Sequence, residues 1–466
     1  MRSIVLSLLL ALTGCAMTPE YVRPEPPIAV AYPHRSSTEE VPSSAGIGWR
    51  SMFGDARLQA LIEAALKHNR DLRIAMLNVE ATAAQYRIQR AGELPAVNAT
   101  AGVTRERSRT LSSSPSVQRQ VSVGFGVTAF EFDLWGRARS LSDAAYARYL
   151  ASDEGRRAAR LSLIAAVADA YFAERLAVEQ QALATQTLES WTEQRDLAVR
   201  LHDASQTSGL DVAQAQSQVA RAQVEADGRA RELERARNAL VQLVGADLQT
   251  LNLPDAPTLE KMPVRTQLAP GLPSDLLVNR PDIGQAEQAL RAAHADIGAA
   301  RAAFIPRIEL TTTLGFASPA VHGLFGGGNR VWSFAPTVTL PLFDAGRLRA
   351  ELQLSELRRS AAVAEYERVV QVAFREVADG LAGTETFARQ VEAQQRVVAE
   401  EERRAKLAGQ RYRAGLDARL EWLDAQRQAF AARMELLSLR REALGNAAQL
   451  YKALGGGLFR DDDPGL

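Results

Sequence analysis

Hydrophobic and polar positions change period several times along this 466-residue chain. In VWSFAPTVTLPL, Val331 to Leu342, Trp332, Phe334, Pro336, Val338, Leu340 and Leu342 fall on one face. Ser333, Ala335, Thr337 and Thr339 fall on the other. VSVGFGVTA (Val121–Ala129) sets Val, Val, Phe and Val against Ser, Gly, Gly and Thr, and IELTTTLGF (Ile308–Phe316) collects Ile308, Leu310, Leu314 and Phe316 on one side. Pro95 to Thr104 alternates weakly. A period of two predicts β-strands. Apolar on one side and small or polar on the other suits a strand of a membrane barrel, although one such strand taken alone is better read as a half-buried strand of a soluble sheet.

Two long windows carry a different signal. No proline occurs from Ser116 to Leu253 or from Leu342 to Asp463, and both windows are rich in Ala, Leu, Gln, Glu and Arg. These residues favour helix, whereas proline costs a helix interior about 3 kcal/mol. The first window predicts one helix from Gly136 to about Ser205, roughly 105 Å at 1.5 Å per residue. A break follows at Ser205–Gly209, then a second helix from Leu210 to Val244 with Gly245 as its C-cap. Helices of this length imply coiled-coil packing, and Leu176, Leu183, Trp191, Leu197 and Leu201 form an imperfect apolar stripe among many alanines.

The pattern is duplicated. HNRDLRIA (His68–Ala75) resembles VNRPDIGQA (Val278–Ala286), and Gly92–Val103 resembles Ala303–Gly315 with Pro95 opposite Pro306. FDLWGRAR (Phe132–Arg139) resembles FDAGRLR (Phe343–Arg349), LDVAQAQ (Leu210–Gln216) resembles LEWLDAQ (Leu420–Gln426), and LVQLVG (Leu240–Gly245) resembles LYKALG (Leu450–Gly455). A constant spacing of this kind marks two copies of one supersecondary unit: helix, strand, loop, strand, long helix, shorter helix. The expected division is 51–246 and 274–456, joined by a proline-bearing linker at 247–273 and followed by a tail at 457–466. Loops 105–118 and 318–329 are expected at the far tips of the strands. Two units supply four strands, too few to close a membrane barrel, whose smallest form has about eight. An open edge cannot stand in lipid, so membrane strands here would require several chains to share one barrel.

The N-terminus adds a cell-surface signal. Arg2 precedes an apolar run from Ile4 to Leu12, too short to cross a bilayer as a helix. Residues 1–14 read as a signal peptide, and Leu12-Thr13-Gly14-Cys15 resembles the lipobox of bacterial lipoproteins, with Cys15 as the lipidation site. Cys15 is the only cysteine, so no disulfide within the chain is possible. Six prolines between Pro19 and Pro42 make 15–50 a semi-rigid tether. Charge is balanced, with 55 Lys plus Arg against 55 Asp plus Glu, which argues against a nucleic-acid binder. The five histidines are scattered without metal-ligand spacing, Gly326–Gly328 lacks the Lys-Ser/Thr of a phosphate loop, and no nucleophile motif occurs. No enzyme activity, cofactor or metal is expected.

Taken together, the lipobox, Asn279–Asp282 (Asn-Arg-Pro-Asp), Phe343–Arg347 (Phe-Asp-x-Gly-Arg), Arg411–Gly415 (Arg-Tyr-x-x-Gly) and Leu423–Gln426 (Leu-Asp-Ala-Gln) resemble the TolC-like outer membrane factors, in their lipoprotein branch. The resemblance implies an α+β membrane protein: a homotrimer with a 12-stranded β-barrel in the outer membrane of a Gram-negative bacterium, continued by a periplasmic α-helical barrel. It implies the outer membrane duct of a tripartite efflux system, with a periplasmic adaptor and an inner-membrane transporter of RND type as partners. Glu421 and Asp424 lie three apart, which puts two like charges side by side on one helix face; by the same resemblance they are expected to line a pore constriction, and Asp211 and Tyr412 to form a latch in the closed state. The family's arginine at the position of Asp417 is missing here, which leaves Arg413 or Arg419 as replacements. A duct for protein secretion, a lipid-anchored periplasmic adaptor and a coiled-coil scaffold are the alternatives.

Overall fold

The computed structural model describes residues 17–27, 29, 32, 46–108, 116–271 and 273–456. The signal segment, Cys15, most of the tether and the C-terminal tail lie outside the described residues. The chain forms two compact units, each drawn from both sequence repeats: one holds residues up to 25, 77–153 and 285–368, the other 26–76, 154–284 and 369–466.

The first unit contains an antiparallel sheet in the order β1 (Val97–Ser108), β2 (Ser116–Glu131), β3 (Arg307–Ser318) and β4 (Arg330–Thr339). Its register places Phe125 opposite Leu314 and Leu314 opposite Trp332. Thr312 faces Phe334, Ile308 faces Val338, and Val97 faces Val127. Directly paired residues share a face, so these side chains form one apolar surface. The alternate positions, Gly124 opposite Gly315 and Thr313 opposite Ser333, give the other face small and hydroxylated groups. The glycines are needed there, because a Cβ on Gly126 would come within 2.6 Å of the Thr312 carbonyl oxygen. A bulge between Val127 and Phe130 bends β2, with Ala129 at φ 52°. Pro336, which has no N–H to give to a ladder, stands on β4, the last strand of the sheet within the chain.

The strand limits differ from the sequence reading in two places. β4 stops at Thr339, so Leu340 and Leu342 do not extend its apolar face; Pro341 between them cannot donate to a ladder. In contrast, β1 runs on to Ser108 and β2 starts at Ser116, so much of the expected loop 105–118 is strand. Cross-strand pairing holds these polar residues in the ladder although they lack an apolar alternation.

The helices are α1 (Ala56–His68), α2 (Arg70–Ala91), α3 (Arg137–Asp203), α4 (Gly209–Val244), α5 (Pro281–Ala302), α6 (Arg347–Arg413) and α7 (Arg419–Ala453). Both α3 and α6 have 67 residues and begin 210 residues apart. The Phe-Asp motifs start them. Asp133 accepts from the backbone N–H of Ala138 and Arg139 at 3.0 and 2.8 Å, and Asp344 from Gly346 and Leu348 at 3.0 and 2.8 Å. Each carboxylate satisfies N–H groups that a helix start leaves unpaired.

Packing along α3 keeps Trp191 of the predicted stripe and moves the rest of it by one position. The buried seam is Ala177, Ala184, Trp191 and Ala198, a repeat of seven, while Leu197 is 50 % exposed. Small residues on the seam let helices approach closely, and the leucines one position away flank it.

A second duplicated feature lies in the second unit, where α2 and α5 start. Asn69 donates from Nδ2 to the Leu243 carbonyl at the end of α4 (2.8 Å) and accepts from Leu72 N–H (2.9 Å). At the equivalent place Arg280, 5 % exposed, donates to the Ala453 carbonyl at the end of α7 (3.0 Å), to Glu376 (2.7 Å) and to Asp282 (2.6 and 3.0 Å). The Asn-Arg-Pro-Asp motif is therefore a knot tying the start of one helix to the end of another. The glycines beside each knot, Gly245 at the end of α4 and Gly455 just beyond the end of α7, have φ of 73° and 93°, which glycine adopts at little cost.

Candidate functional site: the hairpin tips

Helices α3 and α4 meet at residues 204–208, and α6 and α7 at 414–418. Both turns use a left-handed residue with a backbone bond five residues back: Ser205 (φ 56°) with Gln206 N–H to the Leu201 carbonyl, and Gly415 (φ 69°) with Leu416 N–H to the Arg411 carbonyl. This is the Schellman geometry that ends a helix, and it explains the glycine of Arg-Tyr-x-x-Gly.

The restarts differ. Ser208 and Asp211 form a capping box at the head of α4. The Thr207 and Ser208 hydroxyls both donate to Asp211 Oδ2 at 2.7 Å, and Ser208 N–H reaches the same oxygen at 3.2 Å. These donors hold the Asp211 carboxyl below the usual carboxylate range, with the Arg419 charge adding to the effect. At the head of α7 the cap position is Ala418, which supplies no side-chain acceptor.

The second tip instead concentrates ion pairs. Arg404 on α6 lies between the two expected constriction residues, 3.2 Å from Glu421 Oε1 and 3.2 Å from Asp424 Oδ2. Arg427 takes the other Asp424 oxygen at 3.0 Å. Asp417 forms a two-point pair with Arg411 at 2.5 and 2.8 Å, which depresses the Asp417 pKa. The structure thus brings Glu421 and Asp424 together as two carboxylates sharing one guanidinium, where the spacing alone suggested bare like charges. Tyr412 stacks on Trp422, ring centroids 5.4 Å apart, and Gly409 leaves room for the indole. Among the described residues no hydrogen bond joins Asp211 to Tyr412. Of the two arginines offered as replacements at the tip, Arg419 acts on Asp211, while Arg413 donates to the Gly409 carbonyl at 3.1 Å.

Arg404, Trp422 and the missing cap at Ala418 escaped the sequence reading. Arg404 is 17 residues from Glu421 and 20 from Asp424, and only the folded-back hairpin makes them neighbours. The absent cap was visible as an alanine at the position equivalent to Ser208.

A sheet with one apolar and one Gly/Ser/Thr face, together with paired antiparallel helices of exceptional length, defines a mostly helical membrane-channel fold with a small strand domain. The chain belongs to the outer membrane efflux protein family, whose pattern it matches over residues 61–246 and 272–456. It is 41 % identical over 459 residues to the probable efflux pump outer membrane protein TtgC of Pseudomonas putida, covering 96 % of this chain and 94 % of that one. It is 42 % identical over 462 residues to the outer membrane protein OprJ of Pseudomonas aeruginosa, covering 97 % and 95 %. Its structure resembles the open state of the MtrE outer membrane channel of Neisseria gonorrhoeae with a TM-score of 0.87 and 40 % identity, over 95 % of this chain and 99 % of that one. This protein is accordingly an outer membrane efflux channel, and its family is one of channels rather than enzymes.

Proposed function

We propose that three copies of the chain assemble into one duct, with a 12-stranded barrel in the outer membrane and the long helices continuing it into the periplasm. The sheet carries this reading. Its apolar face is open to the surroundings, with Trp332 75 %, Phe125 65 % and Phe334 62 % exposed, and β1 and β4 are unpaired edges within the chain. Such a surface is unstable in water and is what lipid requires on the outside of a barrel. Pairing β4 of one copy with β1 of the next removes the edges, and three sheets of four strands exceed the minimum for closure. Among the described residues no helix is long and apolar enough to cross a membrane, so the strands are the candidate spans.

In this assembly the relatives' role as efflux pump outer membrane proteins carries over. The duct passively conducts small molecules delivered by an inner-membrane RND-type transporter through a periplasmic adaptor. Cys15 bears the lipid. Glu421 and Asp424, repeated by three-fold symmetry, form the acidic constriction, with Arg404 and Arg427 limiting its charge. Asp211 and Tyr412 serve as the latch between neighbouring hairpins, and Oδ1 is the Asp211 oxygen that the capping box leaves for a partner. The test is extraction and reconstitution. The protein should require detergent, migrate as a heat-modifiable trimer and form conducting pores in planar bilayers. A folded, water-soluble monomer would sink the barrel reading.

A further inference from the structure

A cavity of about 650 Å³ lies in the first unit beside the start of α3. Leu134, Trp135, Ala147 and Leu150 give it apolar walls, and Thr18 and Pro19 of the N-terminal segment also line it. The segment is seated there: the Thr18 hydroxyl lies 3.0 Å from Ser140 Oγ. A Cβ on Gly298 would fall 2.8 Å from that Oγ and 2.9 Å from Thr18 Cα.

His294 on α5 lines the same cavity and is only 5 % exposed. Its Nε2 meets Arg359 Nε at 3.2 Å. A guanidinium nitrogen can only donate, so Nε2 must accept and the proton of the neutral ring sits on Nδ1. Burial, and then the Arg359 charge, push the His294 pKa down, which keeps the ring neutral at pH 7. Nδ1 is buried and meets no acceptor from the protein. A buried donor left unmet forfeits the bond it would make with water. The site therefore calls for an acceptor oxygen.

Of the charged groups at the cavity, Arg291 bonds Glu287 at 2.8 Å and lies 4.9 Å over the Tyr21 ring, and the Asp133 carboxylate is taken up by the backbone at the start of α3. The apolar walls favour an oxygen carried on a hydrocarbon chain. The cavity also follows directly on the end of β2 at Glu131, and its Trp135 and Tyr146 are of the types that gather at a membrane–water interface.

We propose that this cavity binds the acyl carbonyl of a membrane lipid, its oxygen accepting from His294 Nδ1–H and its chain lying along Trp135 and Leu150. The inference rests on the outer membrane placement above. Two sources offer this chemistry: a free glycerophospholipid, or the acyl groups on Cys15. Cys15 is three residues from Thr18, a reach of about 10 Å.

The experiment uses the full chain in phosphatidylethanolamine/phosphatidylglycerol vesicles doped with a phosphatidylethanolamine that carries a photoactivatable acyl chain. Crosslinks are mapped by peptide mass spectrometry in wild type and in Cys15→Ser. Labelling is expected within 134–150 and 288–295 as well as on the apolar face of the sheet. Leu150→Trp, which fills the cavity, should cut the helix labelling at least fivefold while labelling at Trp332 and Phe334 persists. His294→Leu should lower it, and His294→Asn, which keeps an N–H near the place of Nδ1, should restore it. No helix labelling in either wild type or Cys15→Ser overturns the proposal, as does labelling indifferent to both Leu150→Trp and His294→Leu. Loss of labelling on the sheet in wild type would instead overturn the outer membrane placement. Cys15→Ser names the source. Stronger labelling than in wild type supports occupancy by the chain's own acyl group, and equal labelling supports a free phospholipid.

Discussion

Arg280→Ala tests the knot that closes the second repeat. The substitution removes donors to Glu376 at 2.7 Å, to Asp282 at 2.6 and 3.0 Å, and to the Ala453 carbonyl at 3.0 Å. Breaking a buried ion pair by removing one partner costs about 3–5 kcal/mol, because the remaining charge stays desolvated. The Arg280 side chain is 4 % exposed, but those of Asp282 and Glu376 are 37 % and 32 % exposed, so water can serve part of what is lost. The expected loss is about 2–4 kcal/mol. In the first repeat Asn69→Ala removes one neutral bond and one cap, expected at about 1–2 kcal/mol. The double variant Arg280→Met with Glu376→Gln should recover part of the Arg280→Ala loss, since no unpaired charge is left at position 376. Guanidinium unfolding of the detergent-solubilised protein, followed by circular dichroism, reads all of these. An Arg280→Ala variant within 0.5 kcal/mol of wild type, or a double variant as unstable as Arg280→Ala, would refute the reasoning that the knot is an ion-paired tie.

Three further predictions concern the hairpin tips. Arg404→Gln uncovers Glu421 and Asp424 and should shift the reversal potential in planar bilayers towards cation selectivity, while Asp424→Asn should shift it the other way; unchanged potentials in both would remove these residues from the conducting path. Ala418→Ser supplies the missing cap of α7 and should stabilise the protein by about 1 kcal/mol in the same unfolding assay, and no gain would mean that the head of this helix is already satisfied. The folded Asp211 and Asp417 carboxyls titrate below their unfolded value of about 3.9. Their contribution is therefore fully present above that pH and is lost as pH falls through the folded values. Thermal stability should accordingly show an acid-side loss below about pH 4 that shrinks in Asp211→Asn, and a loss undiminished in that variant would assign it to other groups.

Much of the architecture was legible before folding, because it depends on local periods. Proline-free windows and Gly245 defined α3 and α4 to within a few residues. Strand alternation separated the face carrying Phe125, Trp332 and Phe334 from the face carrying Gly124 and Ser333, since a period of two fixes sides without a partner. The matching motifs 210 residues apart foreshadowed the equal lengths of α3 and α6.

Other features belong to the tertiary structure alone. The sequence suggested a stripe of four leucines and Trp191 on α3; Trp191 is buried as expected, but the rest of the seam is Ala177, Ala184 and Ala198, because close helix packing places small side chains there and leaves the leucines to flank them. It presented Glu421 and Asp424 as neighbouring like charges, and chain reversal at 414–418 put Arg404 between them. Arg280 stands in the sequence as one letter of the Asn-Arg-Pro-Asp motif, and its burial comes only from the end of α7 and Glu376 closing over it. Side-chain period and turn chemistry are properties of adjacent residues and are written in the sequence itself. Charge partners and burial depend on residues tens to hundreds of positions away, and only the folded chain sets those distances.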